Sequence, residues 1–113
     1  MSIREKPIEW RDTSLEDLKA FPIDAIKHFG YELGLIQNGL EPSDFKSMPN
    51  LGGGVMELRK RTADGTYRVV YVAKFERAVF VLHSFQKKTQ KTAPKDTATI
   101  KARYAALVKE LQQ

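Results

Sequence analysis

Residues 52–88 read GGGVMELRKRTADGTYRVVYVAKFERAVFVLHSFQKK, and they decide the fold. The stretch divides into three consecutive antiparallel strands, expected over residues 55–60, 67–75 and 78–85. Asp64-Gly65 marks the first hairpin, because glycine takes the positive φ that a two-residue turn demands. Glu76-Arg77 makes the second turn. Side chains alternate along a strand, so Met56 and Leu58 share one face of the first strand, and Val55, Glu57 and Arg59 the other. The second and third strands are apolar almost throughout, the pattern of central strands covered on both faces. Arg68, His83 and the run Gln86-Lys87-Lys88 break that pattern, so chemistry is sought there.

Working outward, Lys6-Pro7-Ile8-Glu9-Trp10 alternates like a short strand, with Pro7 at its edge or start. Thr13-Ser14-Leu15-Glu16 is a capping-box pattern, and the helix it opens ends at Phe21, before Pro22. Pro22 suits the first position of a second helix. Ile23, Ile26, Phe29, Leu33 and Ile36 then recur at helical spacing as far as a stop at Gly39. Their stripe is expected to cover the sheet. Residues 40–54 read as a loop with Phe45, Met48 and Leu51 as anchors. The glycine triplet lacks the Lys-Ser/Thr and the helix of a P-loop, and reads as a flexible lead into the strand. After the meander comes a basic linker over 89–94. A last helix over 96–111 carries Ile100, Tyr104, Leu107, Val108 and Leu111 on one stripe.

The expectation is a single α+β domain spanning 1–113. A small antiparallel sheet, made of the N-terminal strand and the meander, packs against an N-terminal helical hairpin, with a C-terminal helix added. A chain of 113 residues can bury a core without staples. It has no cysteine, so disulfides and thiolate metal sites are excluded. No apolar run nears the roughly 18 residues of a membrane span, and MSIREKPIEW lacks a signal-peptide core, so a cytoplasmic setting is expected. A formal charge of +5 favours an anionic partner.

His28 and His83 fall on different elements without metal-ligand spacing, so no metal and no cofactor are expected. No GxSxG elbow supports a serine triad. What remains is a set of cations on strands. An arginine in a central strand is costly to bury unless it is paired or faces an anion. Two readings of Arg68 therefore stand open: an internal salt bridge with Glu57 across the sheet, and an anion site. His83 reads first as a hydrogen-bonded core residue. Phe85 either stacks a base or ends the core. The run Lys87-Lys88-Thr89-Gln90-Lys91 reads as a solvated loop or as phosphate contacts.

Three motifs then point to a family: Val55-Met56-Glu57-Leu58-Arg59, Gly65-Thr66-Tyr67-Arg68-Val69-Val70-Tyr71 and Leu82-His83-Ser84-Phe85-Gln86-Lys87-Lys88-Thr89. With Ile8-Glu9-Trp10 and Leu18-Lys19-Ala20-Phe21-Pro22, they make a chain that resembles the RelE/ParE superfamily of toxin–antitoxin toxins. The closer likeness is to its HigB-like, phage-derived branch. The resemblance implies a RelE-like fold and a toxin that cleaves mRNA, usually in the ribosomal A site. It also implies neutralisation by a helix-turn-helix antitoxin encoded nearby. By carry-over, Arg68 resembles the strand arginine that holds the scissile phosphate, Arg59 its basic neighbour, and Lys87 or Lys88 the basic residue ending the last strand. Glu57 stands where the RelE pattern has a second lysine, and Thr89 to Ala93 hold no tyrosine where RelE-type toxins often place one.

Metal-free RNA cleavage needs a base at the 2′-oxygen, cations around the phosphate and an acid at the 5′-oxygen. Arg68 and Arg59 suit charge stabilisation, Glu57 or His83 the base, and Lys87 the acid or a second clamp. Further RNA-binding candidates are Lys88, Gln86, Phe85, Lys91 and Lys60. The alternatives are a ParE-like poison of DNA gyrase, which is not a nuclease, and an RNA-binding module without turnover.

Overall fold

The hairpin is the best place to see the alternating pattern become structure. In the computed structural model, which describes residues 5–87, 89 and 91–112, β3 (Val55–Thr62) and β4 (Gly65–Val72) pair antiparallel from Val55–Val72 to Thr62–Gly65. The turn sits one residue earlier than expected, at Ala63-Asp64. Gly65, at φ 125°, opens β4, and the Thr62 hydroxyl donates to its carbonyl. β5 (Val79–Lys87) completes the meander.

β1 (Ile8–Trp10) lies beside β5 but runs parallel to it, so the sheet is mixed rather than antiparallel. Alternation reports which face a short strand buries and is blind to its direction. Within the expected loop, β2 (Phe45–Ser47) pairs antiparallel with β3, giving the order β1-β5-β4-β3-β2. Three residues with one apolar side chain carry too little pattern to announce such a strand.

Helices cover both faces. α1 (Ser14–Lys19) and α2 (Ile23–Gln37) bury Leu18, Ala25, Phe29, Leu33 and Ile36 against Leu58, Tyr67, Val69, Tyr71, Val79 and Val81. On the opposite face α3 (Pro94–Leu111) packs Ile100 and Leu107 on Val55, Val70, Val72, Phe80 and Leu82. The capping box does not form. The Thr13 hydroxyl donates instead to the Asp17 carboxylate at 2.8 Å, while the Thr13 carbonyl accepts from the Asp17 amide at 2.9 Å. Pro22 stands just ahead of α2, and Ile23 is 68% exposed rather than part of the stripe. Gly39, at φ 75°, is the expected stop. Gly52 marks a close approach rather than a flexible lead: a Cβ there would lie 2.6 Å from the Tyr104 ring.

One irregularity positions everything that follows. Val70 opposes His83, but its neighbour Tyr71 opposes Val81, so Leu82 is an extra residue bulged out of β5. Strict alternation would put Leu82 and Phe85 on opposite faces, yet both lie in the core under α3. The bulge therefore turns His83, Phe85 and Lys87 onto the α3 face. α3 supports it, since Arg103 donates to the Leu82 carbonyl at 2.8 Å and Asp96 meets His83 Nε2 at 2.8 Å.

Candidate nucleic-acid interface

The hairpin end of the α3 face is where the cations gather. Reading across the strands, one row holds Lys46, Glu57, Val70 and His83. The next holds Arg59, Arg68 and Phe85, and the last Arg61, Thr66 and Lys87. An open basin of about 540 Å³ lies over these rows, walled by Lys46, Arg59, Arg61, Arg68 and Lys87, with Thr62, Thr66 and Thr89 completing the lining.

Arg59 and Arg68 are direct cross-strand partners. Like charges so placed repel, unless an anion or carboxylate sits between them. Each has one carboxylate. Arg68 Nη1 donates to Glu57, whose side chain is only 2% exposed, and Arg59 Nη2 donates to Asp44 at 2.7 Å. Each guanidinium still keeps a buried Nε without a partner. The remaining three cations, Lys46, Arg61 and Lys87, have no carboxylate partner among the described residues. The Lys87 amine is held below the usual lysine range, first by burial and then by the positive charge of Arg68, with Lys46 and Arg59 adding to it. The wall is thus an array of donors with unspent capacity and one ammonium biased toward losing its proton.

Of the residues singled out by sequence, Arg68, Arg59 and Lys87 come together here. Arg68 pairs with Glu57, as the first of its two readings expects, and it also lines the basin. Glu57 lies within the sheet, bound to Arg68, rather than standing free as a base would. His83 is off the basin wall, hydrogen-bonded to Asp96 and stacked on Phe85 at 4.8 Å. Phe85 is 7% exposed and spends its ring on the core and His83, so it gives no platform for a base. Gln86 opposes Tyr67 on the α1–α2 face and donates to the Asp64 carbonyl at 2.6 Å. Lys60 also opposes Tyr67, on that same face, so neither belongs to the basin. Lys91 is exposed and not part of the wall, and Lys88 lies outside the described residues.

Sequence reasoning missed Lys46 and Arg61. Arg61 was legible, being two residues beyond Arg59 on the same face. Lys46 was hidden because β2 was read as loop. Its strand is anchored by α2: the buried Glu32 carboxylate accepts from the Ser43 amide at 3.2 Å with both oxygens, and from the Ser43 hydroxyl. Among the described residues, no three His, Cys, Asp or Glu side chains are grouped as a metal would need.

These features define a small α+β protein with a cationic basin over one end of a mixed five-stranded sheet. No helix among the described residues is long and apolar enough to cross a membrane. Residues 16–105 match the family described as phage derived protein Gp49-like (DUF891). The chain belongs to that phage-derived Gp49-like family, a toxin-like family of the RelE/HigB type. No curated protein and no solved structure matches it.

Proposed function

We propose that this chain is a toxin that cleaves mRNA on the ribosome without a metal, and that a helix-turn-helix antitoxin neutralises it. Family membership supports the toxin reading. The observation that carries the nuclease reading is the opposed pair Arg59–Arg68, whose buried Nε atoms lack partners beside an open basin.

In this reading a phosphodiester settles between the two guanidinium forks, whose planar donors match its non-bridging oxygens. Glu57 holds Arg68 in place. The substrate's 2′-oxygen attacks phosphorus and its proton passes to water. The bond from phosphorus to the 5′-oxygen breaks, and the Lys87 ammonium gives that oxygen a proton. The products are a 2′,3′-cyclic phosphate and a 5′-hydroxyl, and Lys87 regains its proton from solvent. The arginines stabilise the added negative charge on the phosphate, and a lowered Lys87 pKa makes the ammonium a better acid.

Primer extension on a reporter mRNA in a translating extract tests the proposal. Wild-type protein cuts within codons. Arg59→Ala and Arg68→Lys do not, although each keeps Glu57 beside a cation. Intact mRNA with folded wild-type protein, or unchanged cuts with both variants, would refute it. One observation favours a second reading, an RNA-binding module: Glu57 is engaged by Arg68 and His83 lies off the wall, leaving no free base among the basin groups singled out. That reading requires salt-dependent RNA affinity and no product.

A further inference from the structure

Lys46 asks for an explanation that the scissile phosphate does not provide. It hangs from the three-residue edge strand β2, one strand outside Arg59, and faces the basin without a carboxylate of its own among the described residues. The molecule anchors the chain just ahead of it twice. Ser43 is gripped by Glu32, a fully buried carboxylate on α2, and Asp44 is bonded to Arg59. A buried carboxylate is expensive unless its hydrogen bonds are made, and this one makes them to the loop that carries Lys46. So the position of Lys46 is built.

A single phosphodiester held between Arg59 and Arg68 lies one strand and one row away from it. Such a group carries one charge and two non-bridging oxygens, and Arg59 with Arg68 already presents two forks to them. Lys46 and Lys87 stand on strands three steps apart, roughly 14 Å at about 4.8 Å per step, and two rows apart along the strands, roughly 13 Å at about 3.3 Å per residue. The substrate path therefore runs diagonally over the sheet, with Lys87 at one corner and Lys46 at the other. Under the proposed cleavage, on which this step rests, Lys87 serves the leaving 5′-oxygen, which belongs to the downstream nucleotide. The opposite side, at β2, then faces the upstream nucleotide.

We infer that Lys46 is a positioning and specificity residue that binds the phosphate 5′ to the nucleotide whose 2′-hydroxyl attacks. The substrate is a polynucleotide strand read through two successive phosphates.

The test uses 2′-O-methyl dinucleotides, which cannot be cleaved, carrying a 5′-phosphate, a 3′-phosphate or neither, titrated into the whole protein and followed by NMR at the arginine and lysine side chains. In wild type the 5′-phosphate tightens binding by about three- to tenfold, the range for one lysine–phosphate contact at a part-exposed site. The 3′-phosphate does less. Lys46→Ala removes the 5′ preference, and it weakens the unphosphorylated dinucleotide far less than the 5′-phosphorylated one. Lys27→Ala, an equal loss of charge on the exposed side of α2, keeps the preference. Shifts at Arg59 and Arg68 with equal affinity for all three dinucleotides, or a 5′ preference that survives Lys46→Ala, would overturn this inference and leave the cleavage reading standing. No shift at Arg59 or Arg68 with any dinucleotide would remove both.

Discussion

Truncating Arg68 to alanine damages the fold as well as the site, and the structure says by how much. Glu57, whose carboxylate takes a hydrogen bond from Arg68, is 1% exposed. Removing one member of a buried pair leaves the other charged and unsolvated, at a cost of about 3–5 kcal/mol. A chain of this size has roughly 6–17 kcal/mol in all, so the loss is a large fraction. At about 4 °C per kcal/mol near this length, the midpoint falls by roughly 12–20 °C. Arg59→Ala is the contrast. Its partner Asp44 has a side chain 55% exposed, and such pairs are worth about 0–1 kcal/mol, so the midpoint moves by no more than about 4 °C. The double variant Glu57→Leu/Arg68→Met removes both charges and recovers most of the stability, because an apolar pair of similar volume is tolerated where a lone charge is not. Thermal melts by circular dichroism decide the matter. An Arg68→Ala midpoint within about 4 °C of wild type would refute the buried-pair argument. The double variant then separates fold from function: it melts near wild type and makes no cuts in primer extension.

Three further outcomes can be checked directly. The Lys87 amine titrates below the usual lysine range by side-chain NMR, and Lys46→Ala moves it back up; if it titrates within that range, its assignment as acid fails. Because the folded value is lowered, protonated Lys87 burdens the fold at neutral pH, and that burden fades as pH climbs towards the ordinary lysine range; cleavage, which needs the ammonium, declines as pH rises through the lowered value. Gly52→Ala drives a Cβ to within 2.6 Å of the Tyr104 ring at a φ of 152°, so it destabilises by about 1–3 kcal/mol; an unchanged melt would show that the ring moves freely. Glu32→Ala releases Ser43, so amide exchange across residues 43–47 rises about tenfold or more and the preference for a 5′-phosphate shrinks; unchanged exchange would mean that β2 holds itself.

Much of this was legible because it rests on periodicity. The apolar runs around Val70 and Phe80 announced central strands, and the stripe through Phe29 and Leu33 announced a helix over the sheet. Arg68 stood out as a charge among valines; its pair with Glu57 formed, and its guanidinium keeps further donors for the ligand of the proposed function. Three things were not legible. The direction of β1 leaves no trace in a three-residue pattern. β2 is held by contacts from Glu32 and Arg59, far away in sequence. The face of Phe85, Gln86 and Lys87 depends on one bulged residue. A period of two carried through Leu82 sends Lys87 away from Arg68, and only the register restores it.

That bulge is itself open to test, because it has an identifiable support. A bulged residue loses its place in the ladder, and an unpaired carbonyl in a buried strand costs about 1–3 kcal/mol. Leu82 is fully buried, and the Arg103 guanidinium of α3 donates to its carbonyl at 2.8 Å, while also reaching the Thr13 hydroxyl and the Asp12 carboxylate. Arg103→Met keeps the apolar stem and removes those donors. The pairing then favours a regular ladder in which Val70 faces Leu82, and a slip of one residue turns Lys87 away from Arg68 while Gln86 takes its place. Cross-strand NOEs report the pairing, the Lys87 titration reports its surroundings, and cleavage reports the consequence. All three change together in Arg103→Met, and Arg103→Lys, which keeps one donor for the Leu82 carbonyl, restores them in part. If Arg103→Met retains the Val70–His83 pairing, the bulge is held by the strand and the His83–Asp96 bond alone. A loss of cleavage with that pairing intact would have to come from elsewhere on α3.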